Sequence, residues 1–171
     1  MERFDVKRGL VKEITEEGGL AKVAKKYFDT VNDNGKNSFS GSHDIMVSID
    51  AHYNESGALV VDVKNVPPNF DNNEAMKTAQ DSRKRWTQFL DEVTGYNSKQ
   101  RGDKAKEWAK KSSKAKSAIS QAQHFMKVSS KVSDDVKEKA DSLIIEINTC
   151  LENNDFTRAA SRGEKLNKLF Q

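Results

Sequence analysis

Between residues 44 and 66 side-chain character alternates with a period of two, and that commits the chain to a sheet with one covered face. Ile45, Val47, Ile49, Ala51 and Tyr53 fall on one side, and Asp44, Met46, Ser48, Asp50 and His52 on the other. Successive strand side chains point to opposite faces, so the first set predicts a buried face and the second a solvated one. Asn54-Glu55-Ser56-Gly57 has hairpin-turn chemistry, and residues 58–66 return with Leu59, Val61 and Val63 on one face. Val60 and Val66 on the other face imply partial cover there too. Pro67-Pro68 stops the pairing, because proline offers no amide donor. A lone hairpin is marginal in water, so neighbouring segments must supply more strands and a layer of cover.

Those segments are legible. Residues 3–7 alternate as a short strand closed by Arg8-Gly9. A helix follows, interrupted at Gly18-Gly19, with its firm part over 20–31: Leu20, Val23, Ala24, Tyr27, Phe28 and Val31 form one stripe at three- and four-residue steps. Residues 32–37 are a turn cluster, and a short strand is expected around Phe39, ending at Gly41. Asn73 reads as an N-cap with Glu74 behind it, and Ala75, Ala79, Ser82, Trp86, Phe89, Leu90 and Val93 trace the face laid on the sheet. Gly95 ends this helix in left-handed geometry. The prediction is an α+β domain over 1–97: a small antiparallel sheet of three to four strands covered by two helices on one face.

Residues 98–171 read as a helical region. Ser98 is placed to cap a long basic helix in which Ala105, Trp108, Ser112, Ala115, Ile119, Ala122 and Met126 make a thin seam. Ser133 then starts a helix striped by Val136, Ala140, Leu143, Ile144, Ile147 and Leu151, Asn153-Asn154 breaks it, and Asp155 caps the last helix. Small residues Ala159, Ala160 and Gly163 allow close helix approach. Leu151-Glu152-Asn153-Asn154-Asp155-Phe156 is similar to the turn of a tetratricopeptide-type pair, but such units need stacked neighbours, so a small three-helix bundle is the expectation.

Arg8-Gly9, Phe89-Leu90, Thr94-Gly95-Tyr96, Lys99 and Arg101 carry a resemblance. Over roughly residues 2–110 the chain resembles a small archaeal family of unknown function in which a Phe-Leu-x-x-x-Thr-Gly-Tyr-x-x-Lys-x-Arg segment recurs. Ser40-Gly41 stands where the family pattern has tyrosine-glycine, and the hairpin from Ser133 looks like an addition. The resemblance implies a compact α+β domain and no assigned activity.

Charge gives the functional lead. Residues 1–72 hold 9 basic and 12 acidic side chains, a net of −3. Residues 73–131 hold 14 and 6, a net of +8, and residues 132–171 hold 6 and 8, a net of −2. The basic character sits on two helices, through Arg83, Lys84 and Arg85 on one and Lys99, Arg101, Lys104, Lys106, Lys110, Lys111 and Lys114 on the other. Clustered lysine attracts phosphate backbones by counterion release without base specificity, so non-specific DNA or RNA is the expected partner. Trp108 and Tyr96 are candidate stacking rings. The competing reading is an interaction module that grips another protein or a second copy through the C-terminal helices.

Other chemistry is thin. Ser48, Asp50 and His52 share a strand face, but residues two apart on a strand lie too far apart for a hydrolase triad, so a solvated face is expected. His43, His52 and His124 fall on different elements without paired-ligand spacing, so no metal is implied, and no glycine-rich loop implies a nucleotide cofactor. The lone Cys150 sits on the apolar side of its helix, as a buried thiol does. That single cysteine and a start without an apolar signal region suit a cytoplasmic setting, and no apolar run approaches a membrane span.

Overall fold

The computed structural model describes residues 1–35, 37–129 and 132–171; Lys36 of the turn cluster and Lys131 at the end of the basic stretch lie outside them. The chain divides into two compact units, Met1–Gly102 and Asp103–Gln171.

The first unit is built on a five-stranded antiparallel sheet in the order β1-β5-β4-β3-β2. Its strands are β1 (Glu2–Phe4), β2 (Thr30–Asp33), β3 (Ser38–His43), β4 (Met46–Tyr53) and β5 (Leu59–Asn65). The sheet therefore has five strands rather than three or four. The additional strand comes from the segment expected to be the end of a helix. The stripe from Leu20 folds as helix α2 only over Leu20–Ala24. The next amides make tighter bonds, Lys26 to Val23 and Tyr27 to Ala24, and the chain leaves the helix there. Phe28 still reaches the core, while β-branched Thr30 and Val31 enter β2.

Gly41 makes that pairing possible. Val31 lies opposite Gly41, and a Cβ on Gly41 would stand 2.2 Å from the Thr30 carbonyl oxygen. Only a residue without a side chain admits β2 at this distance.

In β4, Ile49, Ala51 and Tyr53 are buried and Asp50 and His52 exposed, as the alternation requires. The first residues differ. Met46 is buried and Val47 is 53% exposed, the reverse of the expected pattern. The pairing with β5 shifts register between Met46 and Ser48, and a bulge of this kind turns the side chains before it to the other face.

Three helices rather than two contribute to the covered face: α1 (Leu10–Glu16), α2 and α3 (Asn73–Thr94). Asn72, not Asn73, caps α3, its Oδ1 accepting from the Glu74 and Ala75 amides at 2.9 and 3.2 Å. Phe89 is fully buried and meets Phe28 and Phe39 edge-on at 5.0 and 5.6 Å. Trp86 joins from the margin, half-buried, 5.5 Å from Phe89. The Tyr53 hydroxyl donates to the Val93 carbonyl at 2.7 Å, satisfying an acceptor that the last helical turn leaves open. Burial raises the Tyr53 pKa, so the hydroxyl stays protonated and donating.

The second unit packs the later turns of α4 (Ser98–Val128) with α5 (Asp134–Glu152) and α6 (Phe156–Lys168). Its core is Ala115, Ala118, Ala122, Ala140, Ile144, Ile147, Ala159 and Leu166. The α4 seam is shifted from the expected one: Ala118 is buried, while Ala105 is exposed and Ile119 half-buried. An alanine ridge permits close approach, and a Cβ on Gly163 of α6 would sit 3.2 Å from that of Ala118. Ser133 and Asp155 cap α5 and α6 as expected.

Candidate nucleic-acid interface

The ten basic candidates do not share one fate. Arg101 is turned inward, 8% exposed. Its guanidinium is bound by the Asp91 carboxylate and the Tyr96 carbonyl, and Nη2 donates to Ser98 Oγ at 3.1 Å. Around it the Thr94-Gly95-Tyr96 turn is closed from several sides. The Thr94 hydroxyl donates to the Leu90 carbonyl at 2.6 Å, and the Lys7 amide donates to the Thr94 carbonyl at 2.9 Å. Gly95 takes φ 72°, with the Lys7 side chain 3.0 Å from where a Cβ would stand. Asn97, rather than Ser98, caps α4. Its Oδ1 accepts from the Gln100 amide and the Gln100 side chain accepts from the Asn97 amide, each at 3.0 Å. Arg101 thus fastens a turn, and its buried guanidinium presents little surface to a phosphate.

The other first-unit candidates are exposed. Lys84 and Arg85 line a shallow cleft of about 430 Å³ with Lys26, Tyr27, Asp81 and Gln88. Arg85 Nη1 donates to the Tyr27 carbonyl at 3.4 Å. Lys26 belongs to this cleft and sequence reasoning missed it, because it lies far from the lysine-rich stretch. Its ammonium sits 2.5 Å from Glu92, whose other oxygen accepts from the Tyr27 hydroxyl. Burial pushes the Glu92 carboxyl up, but the hydrogen bonds from Lys26 and Tyr27 outweigh it and hold it below its ordinary value. Burial and the Glu92 partner raise the Tyr27 hydroxyl to about 12. Arg83 faces a second cavity of about 430 Å³, walled by Met46, Val61, Phe70 and Trp86. Lys99 is exposed on the first turn of α4.

In the second unit, Lys104 and Lys111 are half-buried. Lys111 bridges Glu107 at 2.7 Å and Thr157 at 3.1 Å, and Lys114 bridges Glu164 on α6 at 2.6 Å. Hydrogen bonds from Lys111 and Lys114 hold the Glu107 and Glu164 carboxyls below their ordinary range. Lys106 has only a 3.8 Å approach to Asp103. Lys106 and Lys110 are exposed, and with Ser113 and Ser117 they follow four-, three- and four-residue steps along the face opposite Ala115, Ala118 and Ala122. Between Lys106 and Ser117 that row carries no carboxylate, and Asp103 stands one step before it. The unit holds 14 basic and 10 acidic residues, a net of +4. The stacking candidate Trp108 is half-buried, its ring 6.2 Å from Phe156.

The strand face of Ser48, Asp50 and His52 is solvent-facing. Ser48 Oγ donates to Asp50 Oδ2 at 3.2 Å, and among the described residues no hydrogen bond joins Ser48 to His52. Cys150 is half-buried against the second core. No helix among the described residues is long and apolar enough to cross a membrane.

The first unit is thus an α+β domain whose antiparallel sheet carries its helices on one face, joined to a small helical unit. Over residues 1–107 the chain matches the family described as a domain of unknown function, DUF5611, and it belongs to that family. No curated protein and no solved structure matches it.

Proposed function

We propose that the protein binds nucleic acid without catalysis, holding phosphate backbones on the outer face of α4. The observation that supports this reading is the exposed row of Lys106, Lys110, Ser113 and Ser117, which holds no carboxylate beyond Asp103 at its start and is flanked by Lys114 and Lys116. Lysines in such a row release counterions from a phosphate backbone, and serine hydroxyls are neutral partners for its oxygens. The exposed pairs of Lys106 and Lys114 are worth little in water, so a phosphate displaces the carboxylate at small cost. Arg83, Lys84, Arg85 and Lys99 extend the proposed set in the first unit, while Arg101 leaves it.

About four phosphate contacts give log K a slope near −3.6 against log salt. Anisotropy titrations with single- and double-stranded DNA and RNA from about 50 to 200 mM salt read this slope directly. Lys106→Glu with Lys110→Glu should weaken binding to every sequence alike and flatten the slope by about 2. Silence at the lowest salt for all four nucleic acids overturns the reading.

A second reading, self-association through the helical unit, draws on Ile145 and Val128, which are 66% and 64% exposed. A concentration-dependent dimer in sedimentation, indifferent to salt and lost in Ile145→Lys, is its signature.

A further inference from the structure

At the end of β3 a histidine is buried between two carboxylates that the sequence keeps apart. His43 is 5% exposed, with its ring 6.2 Å from that of Phe28. Nδ1 lies 2.8 Å from Asp29 Oδ2, since the pairing of β2 with β3 carries Asp29 to this end of the sheet. On the other side, Nε2 is 3.3 Å from Asp44 Oδ2. Nε2 is nevertheless buried without a hydrogen-bond partner. The Asp44 oxygen is near enough but lies off the line along which an N–H would point. Asp44 is held there by backbone and side chain alike: it takes φ 44°, and Ser82 Oγ donates to the same oxygen at 3.3 Å.

A buried imidazole nitrogen aimed past a carboxylate at this spacing has one simple complement. Two ligands of the same tetrahedral zinc ion, with metal–nitrogen and metal–oxygen bonds of about 2.0–2.2 Å, stand about 3.4 Å apart and do not point at each other. Asp29 supplies the remaining part of such a site. A carboxylate on Nδ1–H fixes the tautomer that leaves the Nε2 lone pair free, and it orients the ring. Among the described residues, Asp29, His43 and Asp44 are the one group of such side chains whose ligand atoms all lie within 4.8 Å of one another.

We propose that His43 Nε2 and the Asp44 carboxylate bind a divalent cation of the zinc class, with Asp29 positioning the imidazole and water completing the coordination. Mixed imidazole and carboxylate ligands suit such borderline ions. Asp44 is 38% exposed, so its carboxylate receives the ion from solvent and passes it to the buried nitrogen. With only two protein ligands the site keeps open positions, as zinc sites that bind or activate a further molecule do. The proposal is independent of nucleic-acid binding, because Asp29, His43 and Asp44 are none of the basic residues on which that reading rests.

Isothermal titration of the full, tag-free chain with Zn²⁺ tests it, in a Cys150→Ser background that removes the only thiol. One site is expected. Asp29→Asn should weaken it by about 10–100-fold, as loss of a supporting carboxylate does, and Asp44→Asn and His43→Gln should weaken it more. His52→Gln, on the solvated face of β4, should leave it unchanged. Asparagine tolerates the left-handed backbone of Asp44, so Asp44→Asn remains decisive where His43→Gln fails to fold. Zinc should also displace the His43 Nε2 resonance in nitrogen NMR. Absence of one-site zinc binding in the parent chain, or binding unaffected by Asp44→Asn, overturns the proposal.

Discussion

Replacing Gly41 by alanine should be among the most damaging small substitutions in this protein. The added methyl would sit 2.2 Å from the Thr30 carbonyl oxygen and 3.2 Å from its carbon. Neither is the free end of a side chain, so the clash cannot be relieved by a rotamer change. Ordinary contact requires β2 to retreat by about 1 Å, a distance that weakens the hydrogen bonds beside the Val31–Gly41 pair. Overpacking of this kind costs about 1–3 kcal/mol, and we expect the upper end because only backbone can yield. Against a domain stability of about 5–15 kcal/mol that is a large fraction. With a urea slope near 2 kcal/mol per molar, a loss of about 3 kcal/mol lowers the midpoint by about 1.5 M. Trp86 reports on the first unit by fluorescence in a Trp108→Phe background, which silences the second. Gly102→Ala is the internal control. A Cβ there meets nothing within 4 Å, and alanine in a helix interior gains about 0.5–1 kcal/mol over glycine. A Gly41→Ala stability within about 0.5 kcal/mol of the parent, the scatter of an ordinary surface change, would refute the close approach of β2.

In urea titrations followed by circular dichroism, Phe89→Ala should cost about 3–5 kcal/mol and Trp86→Ala less, because Phe89 is fully buried while the indole is half-exposed; a larger loss at Trp86 contradicts this packing. Tyr27 makes the first unit sensitive to alkali. Its hydroxyl titrates near 12 folded and near 10 unfolded, so its contribution is whole below about pH 10 and drains away as pH rises through 12. Tyr27→Phe should flatten stability against pH in that window, and an unchanged profile would show that other groups set it.

What the sequence made legible was what local periodicity can carry. The stripes at 73–93 and 134–151, the turn at 54–57 and the inward set from Ile49 to Tyr53 are patterns within single elements. The failures share a different character. The bulge at 46–48 breaks the period of two, and a bulge is settled by how β4 pairs with β5. Residues 20–31 carry helical spacing throughout, yet the last of them are drawn into the sheet by a partner strand that Gly41 admits. Arg101 looked like its lysine neighbours because charge counting is blind to direction, and Asp91, ten positions earlier, decides where it points. The His43 cluster stayed hidden because Asp29 joins it only through the pairing of β2 with β3.

The strand order also dictates a sequence of assembly. β2 to β5 form a meander in which each strand pairs with the next in the chain, so short loops close it. β1 is the exception: Phe4 meets Leu59, across two helices and three strands. Its pairing has to wait for β5 and bridges the longest loop in the sheet, whose closure entropy its three residues must overcome. β1 is therefore the last strand to dock and the first to let go, and its amides should exchange with solvent ahead of those in β4. While it is away, the outer side of β5 offers unpaired backbone groups from Leu59 to Val61 to any other strand within reach. The slowest contact in the sheet is thus also the one that closes its most adhesive edge.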